Sequence, residues 1–343
     1  MEAWEKSLKR CITSPEELSG LFRSQGADLA CVVRRYPMRI TPYYLGLIRE
    51  PGDPIWRQCV PDPEELNDLT QSPDPLDEER LSPVPGLIHR YPDRVVFLVS
   101  TACAVYCRFC MRKRGVGCQG MSQAPVDQAV AYIASKPQIR DVILSGGDPL
   151  LLSDDRLDGI LAALRRIPHV EIIRIGTRVP VTLPERITVK LARLLKRHQP
   201  LYLNTHFNHP REITEQSARA CARLADAGIQ LGNQSVLLKG VNDDPQVMRE
   251  LMQRLLAIRV RPYYIHQMDL VQGTAHFRTR VADGVAVMAA LRGHTSGLAV
   301  PHYVIDLPGG KGKVEVTSAR FSGDGSRLTV SNYLGEEIEY RET

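Results

Sequence analysis

Three cysteines lie within eight residues, in the stretch CAVYCRFC, as Cys103, Cys107 and Cys110. Cysteine thiolates are the ligands of iron–sulfur clusters, and a 4Fe–4S cluster takes four ligands. Three thiolates therefore leave one iron open, and an open metal position is where a substrate binds. Basic residues within and just after the loop favour thiolates and an anionic cluster. The Cys-x3-Cys-x2-Cys spacing thus predicts a 4Fe–4S site.

Two other interpretations of this loop remain. A zinc site usually uses paired Cys-x2-Cys knuckles or sets of Cys and His, and no second pair lies nearby. A buried structural trio is the other interpretation. The other five cysteines of the chain are dispersed, and we interpret them as small core hydrophobes or incidental thiols: they are Cys11, Cys31, Cys59, Cys118 and Cys221.

A second motif is the run Ser145-Gly146-Gly147-Asp148, which directly follows an apolar β-type stretch. Glycine allows a backbone to approach a ligand more closely than any residue with a Cβ atom. Paired glycines are common in turns, so the motif becomes informative only through its position after a strand of a chain that also has the cysteine loop.

A third motif lies near the C-terminus, where Pro308 precedes an unbroken run of glycines and lysines from Gly309 to Lys313. The phosphate-loop pattern GxxxxGK[ST] is absent. For Lys311 a mobile surface turn is the better interpretation. For Lys313 the alternative is a Schiff base with pyridoxal phosphate, a cofactor that acts as an electron sink.

Strands and helices that alternate along the chain must position these residues. The strands that we predict are Arg94–Val99, Asp141–Leu144, Glu171–Ile175, Leu201–Thr205, Gln230–Gln234 and Arg261–Gln267. The predicted helices between and after them lie near 124–136, 154–166, 184–198, 212–228 and 245–258. This alternation indicates βαβ units and a parallel sheet. No GxGxxG fingerprint follows the first strand, which disfavours a dinucleotide-binding fold. Because polar residues follow several strand ends, we expect a barrel whose site lies at the carboxyl ends of the strands.

The two ends of the chain differ from this pattern. Residues 1 to about 90 are rich in proline and acidic residues and predict an accessory segment with helices at Glu16–Arg23 and near Glu64–Leu69. At the other end, Ile305–Pro308 is expected to lead into the glycine–lysine loop. Short strands are predicted beyond it, at Lys313–Ser318, Ser326–Val330 and Glu336–Tyr340.

Composition narrows the class of protein. The 343 residues carry a modest formal charge of +5, with acidic and basic residues interspersed, so a nucleic-acid-binding stripe is not expected. The longest apolar runs are too short to span a bilayer, and the N-terminus lacks the apolar stretch of a secretory signal. Eight cysteines in such a chain are not expected to form a disulfide framework. We therefore expect a cytoplasmic protein that does not associate with membranes.

The cysteine loop resembles the signature of the radical S-adenosylmethionine (SAM) superfamily. The resemblance implies that the open iron binds SAM and that reductive cleavage of SAM starts radical chemistry. It also implies that Ser145, Gly146, Gly147 and Asp148 form the glycine-rich SAM-binding motif. The expected fold class is α/β, a partial (β/α)6 radical-SAM barrel with a helical N-terminal extension and a small β-rich C-terminal element. The expected divisions are residues 1–90 for the extension, 91–300 for the barrel and 301–343 for the C-terminal segment, which carries the pyridoxal phosphate lysine.

Longer motifs, in order over about residues 85–335, resemble the lysine 2,3-aminomutase family, whose members also use pyridoxal phosphate. They are HRYPDRVVFLVS, the cysteine loop with MRKR, LSGGDPL, NTHFNHPREIT, LGNQSVLLKGVND, RPYYIHQMDL, HFRT, LRGHTSG and IDLPGGKGK. The resemblance implies that Lys313 binds pyridoxal phosphate with Arg90 and Arg94 nearby. His206 and Gln234 are implied to lie beside SAM, and Arg112 is implied to bind the substrate carboxylate.

The same resemblance implies that Asp269 and Asp306 pair with the ε-ammonium of lysine and that the reaction interconverts L-lysine and β-lysine. A related aminomutase that acts on arginine, glutamate or a protein lysine of the elongation factor P type is the alternative. A flavodoxin- or ferredoxin-type electron donor and a homodimer or homotetramer are expected. Some members of this family carry a C-terminal cysteine cluster that binds zinc. No cysteine follows Cys221 in this chain, so we predict no zinc. The effect of His266 and Met268, which lie just before Asp269, on the pocket is left open.

Overall fold

A computed structural model describes residues 2–20, 26–68, 70–117, 126–316, 320–321, 327–331 and 336–341. The α-helices are α1 (Ala3–Lys9), α2 (Pro15–Ser19), α3 (Gly26–Arg35), α4 (Pro42–Leu45), α5 (Pro54–Cys59), α6 (Val126–Ala134), α7 (Asp154–Arg165), α8 (Val179–Thr182), α9 (Val189–Lys196), α10 (Glu215–Asp226), α11 (Pro245–Ala257) and α12 (Val281–Leu291). Short 3-10 turns lie at Pro63–Leu66, Pro149–Leu151, Pro184–Arg186, Pro210–Glu212, Ala275–Phe277, Gly297–Ala299 and Pro308–Gly310. In the described ranges, no helix is both long enough and apolar enough to cross a membrane.

The strands of the described chain form one nine-stranded sheet and one three-stranded sheet. The larger sheet contains β1 (Leu87–Tyr91), β2 (Arg94–Ser100), β3 (Asp141–Gly146), β4 (Ile172–Gly176), β5 (Leu201–Thr205), β6 (Gln230–Leu237), β7 (Arg261–Gln267), β8 (His302–Leu307) and β9 (Gly312–Glu315). The smaller sheet contains β10 (Arg320–Phe321), β11 (Arg327–Ser331) and β12 (Glu337–Arg341). Strands β2 to β8 pair in chain order and in parallel, whereas β1 and β9 pair antiparallel to the two ends of that parallel set.

The six strands predicted for the barrel are β2 to β7, and β8 is a seventh strand of the parallel set, one more than expected. For this region only a segment leading into the glycine–lysine loop, Ile305–Pro308, is predicted from the sequence. The predicted strand at Lys313–Ser318 corresponds to β9, which extends the barrel sheet, and residues 317–319 lie outside the described ranges. The predicted fold class, an α/β barrel built on a parallel sheet, is confirmed by this topology.

Several helix boundaries differ from prediction because capping residues determine where a helix begins. The predicted helix 184–198 is divided: Thr188 caps α9 by accepting a hydrogen bond from the backbone N–H of Leu191. Thr214 caps α10 in the same way. The segment near Glu64–Leu69 is only the 3-10 turn Pro63–Leu66, and residue 69 lies outside the described ranges. The helix expected at Glu16–Arg23 is α2, and residues 21–25 are likewise outside them.

Side-chain alternation along β3 shows how the sheet separates its core from its interior. Val142 and Leu144 are fully buried, in the same hydrophobic core as the buried side chains of several helices. Asp141, Ile143 and Ser145 point the other way and border a central cavity. Successive side chains of a strand point to opposite faces of the sheet, so every strand that crosses the barrel supplies one set of residues to this cavity.

The N-terminal segment packs against the rim of the barrel through buried polar contacts. The Thr41 hydroxyl donates to the backbone oxygen of Thr182 over 2.6 Å. The Tyr44 hydroxyl donates to the Glu212 carboxylate, also over 2.6 Å. These bonds join α4 to the loops that follow β4 and β5, so the segment forms a wall near the functional end of the barrel.

Candidate active site

A cavity of about 930 Å³ lies inside the barrel. All fifteen residues that the sequence analysis assigned to a site border it: Arg90, Arg94, Cys103, Cys107, Cys110, Arg112, Ser145, Gly146, Gly147, Asp148, His206, Gln234, Asp269, Asp306 and Lys313. They come from strands and loops that are distant in sequence. The fold therefore brings all of these residues to one place, although the role of each remains a prediction.

The cysteine loop follows β2 and is anchored by a buried carboxylate. Glu65 accepts two hydrogen bonds from Arg108, over 2.8 and 2.5 Å, and one ion-pair contact from Lys113 Nζ, over 2.7 Å. Burial by itself raises the pKa of the Glu65 carboxyl, but Arg108 and Lys113 hold it below its ordinary value. Two of the basic residues beside the cysteines thus attach the loop to the N-terminal segment.

The thiols are in a low-dielectric environment. Burial raises the pKa of Cys110 to about 11 and that of Cys103 well above its ordinary value. Without a metal these two are neutral thiols, in contrast to the expectation that the adjacent basic residues favour thiolates, because burial has the larger effect. A metal cluster would have to displace their protons. The Arg178 guanidinium lies beside the third cysteine, with Nη1 2.8 Å from the sulfur of Cys107. No trio of His, Cys, Asp or Glu in the described part of the chain encloses a single metal ion. Instead, the three thiols border one large cavity beside a buried cation, which fits an anionic polynuclear cluster.

The two glycines of the second motif connect β3 to the cysteine loop. A Cβ atom on Gly146, where φ is +129°, would lie 2.2 Å from the backbone oxygen of Ser100. A Cβ atom on Gly147 would lie 2.4 Å from the backbone oxygen of Ala102. The backbone N–H of Gly147 donates to Ser100, and that of Asp148 donates to Ala102. The glycines are predicted to allow a ligand to approach the backbone closely. In the structure they allow two backbone segments to approach each other closely.

Asp148 is engaged by the protein itself. Its carboxylate accepts hydrogen bonds from the Thr177 hydroxyl over 2.6 Å, from the Arg178 backbone N–H over 2.7 Å and from the Leu150 backbone N–H over 3.0 Å. Burial raises its pKa to about 6. The side chain therefore holds the loop after β4 in place beside the cavity, and a contact with SAM would come in addition to this role.

His206 and Gln234 lie on neighbouring strands at the same rim. His206 directly follows β5, and Gln234 is within β6. Burial lowers the pKa of His206 to about 3, so the imidazole is neutral near pH 7. A neutral imidazole has one donor and one acceptor nitrogen, which suits recognition of a polar ligand.

Lys313 and Asp306 face each other across the antiparallel β8–β9 pair, in which they are direct partners in the register. Lys313 Nζ lies 2.7 Å from Asp306 Oδ2 and 3.1 Å from His266 Nδ1. Arg90 Nη1 lies 3.1 Å from the other oxygen of Asp306. Burial by itself raises the pKa of Asp306, but Lys313, His266 and Arg90 hold it well below its ordinary value. This carboxylate is therefore ionised.

Tyr91 connects the first and last strands of the nine-stranded sheet. The backbone N–H of Lys313 donates to the Tyr91 hydroxyl over 2.7 Å, so β1 approaches β9. The guanidinium of Arg94 lies 3.9 Å from the centre of the Tyr91 ring. The two arginines predicted to lie near pyridoxal phosphate thus border the same part of the cavity as Lys313.

Asp269 follows β7 and is the second carboxylate of this region. Burial, and then the nearby charge of Asp306, raises its pKa to about 7. Two carboxylates in one cavity oppose each other's ionisation unless a cation lies between them. The pair therefore favours a ligand with a positive charge.

Arg112 is held by a residue that the sequence analysis did not assign. The buried carboxylate of Glu78 accepts from Arg112 Nε and Nη2 over 2.9 and 2.8 Å. The remaining nitrogen, Nη1, donates to the Ser145 hydroxyl over 3.3 Å. Glu78 thereby orients the guanidinium so that Nη1 lies beside the glycine-rich motif.

Arg178 and Glu78 border the cavity but were not predicted from the sequence, for different reasons. Arg178 comes just after β4, where the rule that site residues follow strand ends could have found it. Glu78 precedes Arg112 by 34 residues and lies outside any regular pattern, so no local signal marks it.

Comparison with known proteins agrees with this geometry. The family model described as "Radical SAM superfamily" matches residues 97–255, and the model described as "Lysine-2,3-aminomutase" matches residues 288–343. The L-lysine 2,3-aminomutase of Clostridium subterminale is 50% identical over 99% of this chain and 84% of its own length. The chain belongs to the lysine 2,3-aminomutase family. The enzyme of the same name from Bacillus subtilis is 48% identical over 97% of this chain and 72% of its own.

The family also contains a different activity. A protein of Clostridioides difficile with the name glutamate 2,3-aminomutase is 49% identical over 80% of this chain and 66% of its own length. Overall identity therefore does not separate the substrates, and the charges in the cavity must be considered.

Membership of this family confirms the predicted cofactors, which are a 4Fe–4S cluster, SAM and pyridoxal phosphate. The residues present fit them. Three thiols and a buried cation adjoin the cavity, and a primary amine, Lys313, lies inside it with two arginines. The volume, about 930 Å³, is large enough for small-molecule ligands.

Proposed function

We propose that this protein is an aminomutase that interconverts L-lysine and β-lysine by moving the α-amino group to the neighbouring carbon. The observation that carries the proposal is the pair Asp269 and Asp306 in the same cavity as Lys313 and Arg112. A buried ammonium group is costly unless it is paired. The two carboxylates suit the ε-ammonium of lysine, and the guanidinium suits its carboxylate.

When bound, the three cofactors supply one-electron chemistry and an electron sink for the migrating nitrogen. Cys103, Cys107 and Cys110 would hold the cluster. Lys313 would hold pyridoxal phosphate through its amine, and Arg90 and Arg94 would hold it near β1. His206, Gln234 and the Ser145–Asp148 motif would bind SAM.

Arg112 would bind the substrate carboxylate. Its planar fork suits bidentate binding of a carboxylate. Glu78 already occupies Nε and Nη2, which leaves the side that faces Ser145 for the substrate. Glu78 also offsets the positive charge of the guanidinium while the site is empty, and it prevents the side chain from rotating away.

Asp306 changes partner in this proposal. In the structure its carboxylate is paired with Lys313 Nζ. If Lys313 holds the cofactor, its nitrogen would no longer offset the charge of Asp306, and the ε-ammonium of the substrate would supply the missing positive charge. Asp269 interacts electrostatically with Asp306, so its carboxylate would add a second negative charge near the same ammonium.

Glutamate is disfavoured as a substrate because its side-chain carboxylate would enter a cavity region that already contains Asp269 and Asp306. Arginine and a protein-bound lysine are cationic and stay as alternatives. The test is an anaerobic assay of the reconstituted enzyme with lysine, arginine, glutamate and a lysine-containing peptide. We expect β-lysine from lysine and no comparable product from the other three. No product from lysine, with all cofactors loaded, would contradict the proposal.

We further propose that the protein works in the cytoplasm, receives electrons from a flavodoxin- or ferredoxin-type donor, and forms a homodimer or homotetramer. The described cysteines are free thiols, which suits the first point because the cytoplasm is a reducing compartment. Size-exclusion chromatography with light scattering tests the assembly, and reduction of the cluster by each purified donor tests the second point.

A further inference from the structure

Arg178 is a buried arginine beside the cysteine loop. It follows β4 and is the residue just before α8, and its side chain is only 10% exposed. Each of its guanidinium nitrogens has a hydrogen-bond partner. The partners are the His206 backbone oxygen (3.1 Å from Nε), Cys107 Sγ (2.8 Å from Nη1), and the Tyr44 hydroxyl, Gln58 Oε1 and Glu212 Oε1 (3.0, 2.6 and 2.6 Å from Nη2).

These contacts come from separate segments of the chain, so the guanidinium has little freedom to move. Its central carbon also lies 5.2 Å from the ring centres of both Tyr44 and Phe109. Phe109 belongs to the cysteine loop itself. The positive charge is therefore held at one largely buried position beside Cys107, on the wall of the cavity.

The nearest counter-charge, Glu212, only partly offsets this cation. The Glu212 carboxylate is fully buried and also accepts hydrogen bonds from the Tyr44 hydroxyl and from the backbone N–H groups of Asn208 and His209, over 2.6, 2.6 and 2.9 Å. The negative charge of Glu212 is therefore stabilised by these donors as well as by Arg178. The edge of the guanidinium that carries Nη1 faces sulfur, not the carboxylate.

We propose that Arg178 raises the reduction potential of the cluster by placing a fixed positive charge and a hydrogen-bond donor at the sulfur of Cys107. Reduction adds an electron to a cluster that is already anionic, and hydrogen bonds to the sulfurs together with net charge set the potential of such clusters. A buried cation at hydrogen-bond distance stabilises the reduced state more than the oxidised state. The inference rests on the proposed function only through the presence of the cluster, and it does not depend on which amino acid is the substrate.

The test is an anaerobic potentiometric titration of the reconstituted cluster, followed by electron paramagnetic resonance, without substrate. In Arg178→Gln we expect a midpoint more negative than that of the unaltered protein. We expect at least a tenfold lower ratio of reduced to oxidised cluster at a fixed potential, which corresponds to about 59 mV for a one-electron couple. Arg178→Lys keeps the positive charge but loses the planar guanidinium, so its midpoint potential should lie between those of Arg178→Gln and the unaltered protein.

Glu212→Gln acts in the opposite direction. It leaves the cation without its counter-charge, so we expect a more positive midpoint. This variant keeps the proposal testable if Arg178→Gln fails to take up the cluster. The matched control is Arg186→Gln, since Arg186 is also fully buried and ion-paired, with Asp154, but donates to Leu150 and Leu152 instead of a thiol. Its midpoint should not change.

Equal midpoints for Arg178→Gln and the unaltered protein, at full iron content, would overturn the proposal. A shift of the same sign and size in Arg186→Gln would overturn it too, because general loosening of the fold would then explain the effect. A negative shift in Glu212→Gln would also contradict it. Failure of the lysine assay would leave all these results unchanged, so the two proposals can be judged separately.

Discussion

Replacing Asp269 by asparagine should separate recognition of the lysine side chain from the rest of the site. The substitution removes the charge and keeps the shape of the side chain. Loss of one partner from a buried, hydrogen-bonded charge pair costs about 2–5 kcal/mol. Asp306 remains beside the substrate ammonium in the variant, so we expect the lower part of that range, about 2–3 kcal/mol. That loss corresponds to about a 30- to 160-fold fall in kcat/KM for lysine.

The assay is anaerobic formation of β-lysine, measured with the cluster and pyridoxal phosphate fully loaded. The ε-ammonium lies away from the reacting carbons and binds alike in the ground and transition states, so the loss should appear mainly as a higher KM. L-norleucine, which lacks the ammonium group, provides the comparison, and its reactivity should be the same with and without the substitution. Asp158→Asn is the matched control, because Asp158 lies on α7, outside the cavity lining, and pairs with His198 and Arg197.

Two results would refute this reasoning. The first is a kcat/KM for lysine within about twofold of the unaltered enzyme, which would mean less than about 0.5 kcal/mol from the carboxylate. The second is an equal loss for norleucine, which would mean that the substitution disturbs the cavity without acting on charge recognition.

Three further predictions follow from the same geometry. Burial raises the pKa of Asp269 to about 7. If the ionised form binds the substrate as proposed, kcat/KM for lysine should fall as the pH decreases through about 7, and Asp269→Asn should lack this fall. Lys313→Ala should abolish the absorption band of bound pyridoxal phosphate, whereas Lys311→Ala should retain it, since only Lys313 borders the cavity. Gly147→Ala should lower the iron and sulfide content, because its Cβ would lie 2.4 Å from a backbone oxygen of the cysteine loop, whereas Gly159→Ala, with open space around it, should leave that content unchanged.

Each of these has a contradicting outcome. A flat pH profile between pH 6 and 8 would remove Asp269 as the titrating group. A band lost in Lys311→Ala and kept in Lys313→Ala would reverse the assignment of the cofactor lysine. Full cluster content in Gly147→Ala would mean that the two backbones can separate without disturbing the thiols.

The sequence by itself determined the parts of the molecule whose chemistry depends on residues close together in the chain. The spacing of Cys103, Cys107 and Cys110 predicts a cluster loop because one short loop supplies all three thiols. The alternation of strands and helices identified the six strands β2 to β7, because a pleated strand and a helix bury side chains with different periods. Asp269 was found by the rule that site residues follow strand ends and by the family resemblance.

The tertiary structure decided which distant residues meet. Asp306 faces Lys313 because β8 and β9 pair antiparallel in one particular register, and the sequence analysis had recognised neither β8 nor its pairing. Glu78 reaches Arg112 across 34 positions, and Arg178 reaches Cys107 across 71. No local pattern records such contacts, because they depend on the order of strands in the sheet and on how the N-terminal segment packs against its rim. The charges around the proposed cluster and substrate positions therefore follow from the fold, whereas the three cysteines proposed as cluster ligands could be predicted from the sequence.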